Sequence, residues 1–353
     1  MSSIQNRIDA FSKLGDFLRQ FTMEGIVKND AIPLNDLFFD GFKHQLKLAE
    51  ESNSWFTKDN LLFAIESWSK SLSKSNLEAW ISRESITEVS EKRIAIVMAG
   101  NIPLVGFHDF LSVLLTGHQV LVKQSSKDRH LLPFLAKYLE LTDPEFKGKI
   151  QFTEDKLEDF DAVIATGSNN TSRYFEYYFK SKPSIIRKSR NSVAVITGNE
   201  SKEDYINLGD DVFTYFGLGC RSVSKLFVPK GYQFDDFFGG MYHKRDIISN
   251  QKYANNYDYN KAVYLMSEFD ILENGFLMIK EDQSYSSPIA TVFYEYYDNP
   301  VDLKIKLYEE REHIQCVVSR DFIENEVAFG KTQHPQLWDY ADGVNTIEFL
   351  TTL

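Results

Sequence analysis

From about residue 92 the chain repeats one pattern: a short apolar run, an amphipathic stretch with helical spacing, then another apolar run. The runs cover residues 94–98, 120–123, 162–165 and 193–196, and helical patterns lie around 106–116, 129–141 and 171–180. Four or five apolar residues without polar alternation suit a strand buried on both faces, and a helical crossover is what brings two such strands side by side in parallel. The pattern therefore predicts βαβ units and a mostly parallel sheet. A second alternating block begins near Ser201, with a helix to about Phe216, a strand at 225–228 and a helix around 234–247. Strands at 276–280, 289–296 and 314–318 follow. The polar turn at 197–201 between the blocks predicts the domain boundary.

Residues 1–85 read differently, as helices with short linkers. The first carries Ile4, Ile8, Phe11, Leu18 and Phe21 on one face, and Thr57 is placed to cap a helix bearing Leu61, Leu62, Ile65 and Trp68. The closing residues 343–350 read as a terminal strand. The fold class is thus α/β, with two consecutive lobes, Rossmann-like parallel sheets and a helical N-terminal segment. The natural ligand site of such an arrangement is the cleft between lobes.

Composition narrows the function. The formal charge of −12 argues against a nucleic-acid surface, because phosphate binding needs concentrated positive charge. Two cysteines, Cys220 and Cys316, exclude a disulfide scaffold or a Cys-rich metal site, and the seven histidines show no HxxxH or HExxH spacing, so no metal is expected. The most membrane-like window, 94–115, contains Asp109, and an Asp near a bilayer centre costs about 2.5–3.5 kcal/mol. With no signal-peptide pattern at the start, the expectation is a cytoplasmic protein without an integral membrane segment. Aromatic content of 14%, with 28 Phe and 18 Tyr, implies either thick cores or pockets lined for an apolar ligand.

Four segments carry potential chemistry. Met98-Ala99-Gly100-Asn101-Ile102-Pro103 follows a buried run and precedes a helix. An Asn carboxamide at the end of a parallel strand can aim its NH2 at a developing oxyanion, although Asn-x-Pro also simply turns the chain into a helix. Val122-Lys123-Gln124-Ser125-Ser126-Lys127-Asp128 again ends a strand. Its lysine can reach a ribose or phosphate and its hydroxyls can bind phosphate; the same residues also make an ordinary solvated loop. Thr166-Gly167-Ser168 opens a helix, where backbone amides suit a pyrophosphate and a plain N-cap is equally served; it is not GxGxxG. Gly217-Leu218-Gly219-Cys220-Arg221-Ser222-Val223-Ser224-Lys225 sets one Cys among glycines, which leave the sulfur accessible, and near Arg221 and Lys225, which either favour its thiolate or only stabilise the fold; a buried, inert cysteine is the commoner case. Cys316, within Ile314-Gln315-Cys316-Val317-Val318, reads as a core-strand residue. No GxSxG supports serine hydrolase chemistry.

The order of these segments resembles the aldehyde dehydrogenase superfamily: Asn-x-Pro, Lys-x-Ser, TGS before a helix, then a Gly-rich Cys about fifty residues later. Within it, FGLGCRSVSKLFVPKG and the closing LWDYADGVNTIEFL are most similar to the LuxC-type fatty acyl-CoA reductases, with the resemblance spanning about residues 50–353. The resemblance implies an aldehyde dehydrogenase-like fold. Its divisions would be a helical segment at 1–85 packing on the cofactor lobe, a dinucleotide-binding lobe at 86–197, a catalytic cysteine lobe at 198–325 and a C-terminal return or oligomerisation segment at 326–353. It implies Cys220 as nucleophile and Asn101 as the oxyanion donor with the Cys220 backbone N–H. Lys123, with Ser125 and Ser126, would meet the cofactor ribose, and Gly167 and Ser168 would face the dinucleotide.

Two departures from the superfamily pattern sharpen this. Members that oxidise aldehydes carry a water-activating glutamate, whose place here falls on Ile186 within Ile185-Ile186-Arg187-Lys188. Without that base, an acyl thioester is exchanged with a thiol or reduced rather than hydrolysed. Members preferring NAD have an acid three residues after the lysine, and here Ser126, followed by Lys127, stands there. Losing the carboxylate and adding a cation removes repulsion against a 2′-phosphate, so NADPH is the expected cofactor. The partner is then a long-chain acyl-CoA or acyl-protein thioester, with local cations such as Lys123, Lys127 and Arg187 working against the global charge. A homo-oligomer and a Phe/Tyr-lined acyl channel are further expectations. The alternatives are a reductase of acyl phosphates or short-chain substrates, and a non-catalytic acyl-CoA-binding protein.

Overall fold

A computed structural model describes residues 4–84, 86 and 90–353. The expected junction at residues 85–86 touches positions outside the described residues. The chain divides into two compact units, one formed by 1–188 with 336–353 and the other by 189–335.

In the first unit, helices α1 (Ile4–Leu18), α2 (Asn35–Ser52), α3 (Lys58–Ser71) and α4 (Lys74–Ile81) flank a small hairpin, β1 (Phe21–Thr22) with β2 (Gly25–Ile26). Phe21, read as part of the first helix, lies in this hairpin and is fully buried. Thr57 caps α3, its side chain accepting from the Asn60 N–H. There follow β3 (Arg93–Val97), α5 (Phe107–Leu115), β4 (Gln119–Lys123), α6 (Leu131–Thr142), β5 (Ile150–Phe152), β6 (Ala162–Thr166), α7 (Asn169–Tyr178) and β7 (Ser184–Arg187). The five strands form a parallel sheet in the order β5-β4-β3-β6-β7. The centres of β3, β4 and β6 are buried apolar residues on both faces, which is why these runs show no alternation. Eight of the nine α5 residues are buried, including Asp109 and Ser112 among its apolar side chains.

Much of the aromatic excess resides in the core of this unit. Phe17 of α1 stacks on Tyr138 of α6 with ring centroids 4.7 Å apart, and Phe21 meets Phe42 edge-on at 4.9 Å. Phe38 packs on Phe134 at 5.2 Å. Each fully buried aromatic removes a large apolar area from water, so this layer alone accounts for a strong share of the stability.

The second unit holds β8 (Asn191–Val195), α8 (Lys202–Phe213), β9 (Val223–Pro229), α9 (Asp235–Met241), α10 (Gln251–Met266), β10 (Ile271–Glu273), β11 (Met278–Glu281), β12 (Thr291–Tyr297), α11 (Pro300–Glu309) and β13 (Ile314–Val318). Its six-stranded sheet runs β10-β11-β12-β9-β8-β13, parallel except for the β10–β11 pair. The division between units therefore falls between Lys188 and Ser189, upstream of the expected turn at 197–201. The reason is pairing: β8 finds its partners in β9 and β13, and the turn after it merely leads into α8, whose capping box is Ser201 with Asp204.

The C-terminal residues return to the first unit, and the expected strand there is a helix, α12 (Thr346–Thr351). Asn345 caps it by accepting from the Glu348 N–H, and Ile347 and Leu350, one helical turn apart, join the apolar core. The helix is anchored where Leu350 O meets His118 Nε2 at 3.0 Å. Among the described residues no helix is long and apolar enough to cross a membrane.

Candidate active site

In the first unit, three of the sequence-derived segments converge because their strands are neighbours. Strands β4, β3 and β6 are adjacent and parallel, so their C-terminal ends deliver Lys123, the 98–103 turn and the 166–168 turn to one edge of the sheet. From β3 the chain moves outward to β4 and β5, then returns to β6 and β7 on the other side. Such a reversal opens a crevice beyond the strand ends, the usual ligand position in open parallel sheets.

The turn bearing Asn101 and the turn bearing Ser125 are stitched together. The Met98 N–H donates to Lys123 O at 3.0 Å, and the Leu104 N–H donates to Asp128 Oδ2 at 2.7 Å. A β-carbon on Gly100 would lie 2.6 Å from Ser125 Oγ, so only glycine permits this approach. Leu104 takes a left-handed φ of 55°. Asp128, which closes the Lys123 segment but had no role assigned to it from sequence, is the buried link between the two turns, and burial raises its carboxyl to about 6. Its Oδ1 is buried without a hydrogen-bond partner.

Lys123 Nζ donates to Asp155 O at 2.8 Å, which leans the ammonium toward the loop after β5. Ser125 Oγ accepts from the Lys127 N–H at 3.3 Å, while Ser126 and Lys127 are exposed. Ser168 is exposed and caps α7, its Oγ accepting from the Thr171 N–H. Gly167 lies where a β-carbon would meet Thr171 and Phe175 at 3.0 Å, so its smallness lets α7 close on the turn.

One expectation about cations is corrected, and a second cation is found committed to the fold. Arg187 is not available to an anionic ligand: it is buried, Nη2 lies 2.5 Å from Asp109 Oδ1, and it donates to Thr346 Oγ1 and Ala341 O. A buried guanidinium needs such partners, and the returning C-terminal segment supplies two of them. In the second unit, Lys225 is fully buried and its Nζ is held by Glu295 and Gln283 O, both at 2.7 Å. Its charge is thereby committed to Glu295. Ile186, where the resemblance leads one to expect the water-activating glutamate of oxidising members, is an apolar strand residue packed on the cluster of Ala95, Val163 and Ala165.

Cys220 lies in the second unit, exposed, on the turn between α8 and β9. The approach to it is strained: Tyr215, Phe216 and Gly217 take φ of 55°, 57° and 75° in succession. Bulky residues rarely adopt this region, and such clusters collect at functional turns held by their surroundings. The surroundings here are specific. Asp211 of α8 accepts from the N–H groups of Gly330 and Thr332 at 2.7 and 3.0 Å, and Gln333 Nε2 reaches Ser222 Oγ at 3.4 Å. Behind the turn, Ser192 Oγ donates to Cys220 O at 3.0 Å and lies 3.0 Å from Cys316 Sγ. Cys316 stands in β13 as expected, half-buried, and burial pushes its thiol up to about 11.

Among the described residues no group of three His, Cys, Asp or Glu side chains is arranged to hold a metal ion. The family model for acyl-CoA reductase (LuxC) matches residues 39–238. No curated protein matches the chain in sequence. Among solved structures it is similar to aldehyde dehydrogenase 21 from Physcomitrella patens in complex with the reaction product succinate, with TM-score 0.68 and 11% identity over 100% of this chain and 84% of that one. It is also similar to a Mycobacterium tuberculosis aldehyde dehydrogenase complexed with NAD+, with TM-score 0.63 and 12% identity over 90% and 73%. A NAD-dependent benzaldehyde dehydrogenase from Corynebacterium glutamicum gives 0.63 and 10% over 91% and 77%. At these identities the likeness is one of fold.

Proposed function

The chain belongs to the acyl-CoA reductase (LuxC) family, with an aldehyde dehydrogenase-type fold, and on that premise we propose that it reduces a long-chain acyl thioester to the aldehyde through Cys220 with NADPH. The observation that carries the reading is the exposed Cys220 on a strained, internally braced turn, the residue that the sequence resemblance implies as nucleophile. The Cys220 thiolate attacks the thioester carbonyl carbon, and the carbon–sulfur bond to CoA or a carrier thiol breaks as that thiolate leaves. The Asn101 carboxamide and the Cys220 N–H donate to the tetrahedral oxyanion. NADPH, when bound, supplies a hydride to the acyl carbon. The resulting thiohemiacetal on Cys220 then collapses, the carbon–sulfur bond breaking to free the aldehyde and return the thiolate.

What supports a dinucleotide in the first unit is the topological reversal of its parallel sheet, beyond whose strand ends such ligands usually bind. Exposed Ser126 and Lys127, in place of an acid, favour a 2′-phosphate there. The apolar Ile186 leaves water without an activating base at the position where oxidising relatives have one, so reduction competes well with hydrolysis.

The test is NADPH oxidation with a long-chain acyl-CoA, comparing wild type with Cys220→Ala. The expected result is turnover that disappears in the variant. Undiminished turnover in Cys220→Ala ends the proposal.

A further inference from the structure

The strand behind Cys220 is irregular on both sides at one residue. In the β8–β9 ladder, Ser192 pairs with Val223 and Val193 with Lys225, so Ser224 is an extra residue. In the β8–β13 ladder, Asn191 pairs with Ile314 and Val193 with Val317, so Gln315 and Cys316 together oppose Ser192. Ser192 thus sits between two β-bulges, each of which re-aims side chains that a regular pleat would direct elsewhere. The bulge on β13 brings Cys316 Sγ to 3.0 Å from Ser192 Oγ, and the irregularity on β9 immediately follows the Cys220 turn.

The direction of the hydrogen bonds follows from counting protons. Ser192 is fully buried and has one hydroxyl proton. The backbone carbonyl of Cys220 can only accept, so that proton points at Cys220 O. The contact between Ser192 and Cys316 must then be donated by the Cys316 S–H, which requires the neutral thiol. Burial, which raises the Cys316 thiol, keeps it in that form. The chain is therefore Cys316 Sγ–H to Ser192 Oγ–H to Cys220 C=O.

We propose that Ser192 and Cys316 are positioning residues that orient the nucleophile, by drawing the carbonyl of Cys220 into the sheet so that its side chain faces outward in one direction. This rests on the reading of Cys220 as nucleophile. The left-handed run from Tyr215 to Gly217 gives the turn little intrinsic preference for this conformation, so an anchor on its far side has work to do. Cys316 contributes through its hydrogen, and Ser192 through both its proton and its lone pair. No electrons or atoms move along the chain during turnover.

The test is single-turnover acylation with radiolabelled long-chain acyl-CoA, with the label mapped to Cys220 and the rate taken per folded molecule. Ser192→Ala is expected to slow acylation about tenfold or more with KM for acyl-CoA unchanged, in keeping with the cost of a misaligned reacting group. Cys316→Ala is expected to slow it severalfold, and Cys316→Ser, which keeps a donor of similar size, to restore a rate within about twofold of wild type. A purely structural role would lower the folded fraction without this split between rate and KM, and Cys316→Ser would gain nothing over Cys316→Ala. Wild-type rates in Ser192→Ala, or equal rates in the two Cys316 variants, overturn the positioning role. If Ser192→Ala does not fold, the Cys316 pair decides the matter. Absence of label on Cys220 in the wild type overturns the nucleophile reading itself, and the positioning role with it.

Discussion

Asp109 of α5 and Arg187 at the end of β7 form a buried ion pair with 2.5 Å between Oδ1 and Nη2. The same guanidinium donates to Thr346 Oγ1 and Ala341 O, so the sheet, its most buried helix and the returning C-terminal segment share one charge. Arg187→Ala would leave the Asp109 carboxylate buried and unpaired. The expected cost is about 3–5 kcal/mol of stability, far above that of a surface pair. Urea unfolding of the two proteins measures it, and a loss below about 1 kcal/mol would show the pair to be dispensable.

Asn101 is proposed as a donor to the transition-state oxyanion. Asn101→Ala should then lower kcat by about 10²–10³ while KM for acyl-CoA changes little, because the bond strengthens only as charge develops on oxygen. Steady-state kinetics with a long-chain acyl-CoA reads this directly. A rise in KM with kcat intact would instead make Asn101 a residue of ground-state binding.

Ser126 and Lys127 are exposed at the C-terminal end of β4, where an acid would accept from a ribose 2′-OH. Ser126→Glu is expected to move the ratio of kcat/KM for NADPH over NADH toward NADH by about tenfold or more, through repulsion of the 2′-phosphate. The comparison is made with both cofactors at one ionic strength. An unchanged ratio places the 2′-position elsewhere.

Asp128 gives a pH prediction. Its carboxyl titrates at about 6 in the folded protein, raised by burial and only partly offset by the Leu104 N–H. The unfolded carboxyl titrates near 3.9, so the folded state holds the proton more tightly. The stabilisation from this site is complete below about pH 4 and is lost as pH rises through about 6, a span of roughly 3 kcal/mol. Asp128→Asn keeps an acceptor for Leu104 and does not titrate, so its stability relative to wild type should rise between about pH 4 and about pH 7. Urea unfolding at both values checks this, and a difference that stays constant refutes it.

The core of the fold was legible where local pattern and burial agree. The runs that became β3, β4 and β6 have apolar centres rich in Ile and Val, which suits a strand covered on both faces. The helix α10 was not legible for the complementary reason. Its inward stripe is Tyr253, Tyr257, Asn260 and Tyr264, spaced four, three and four, so the helical period is present but is written in residues with polar groups. Tyr253 Oη is satisfied by Phe276 O at 2.9 Å and Asn260 Nδ2 by Ile289 O at 2.9 Å, partners that only the folded chain supplies. The terminal segment misled in the opposite direction: its apolar residues read as a strand, and the cap at Asn345 makes it a helix.

By itself, the order of Asn101, Lys123, Gly167 and Cys220 along the chain determined the family resemblance and its α/β fold, because motif identity and apolar periodicity are local properties of sequence. Only the tertiary structure decided which charges are spent inside the protein. Arg187 and Lys225 look like available cations in the sequence, and each is buried against a carboxylate from a distant element, Asp109 and Glu295. It also decided what stands behind Cys220, the proposed nucleophile. Ser192 and Cys316 are 124 residues apart, and they meet between two bulges, where the Ser192 hydroxyl also donates to the Cys220 carbonyl. Such encounters depend on strand pairing and register, which are set by the summed packing of the whole sheet rather than by any short stretch of residues.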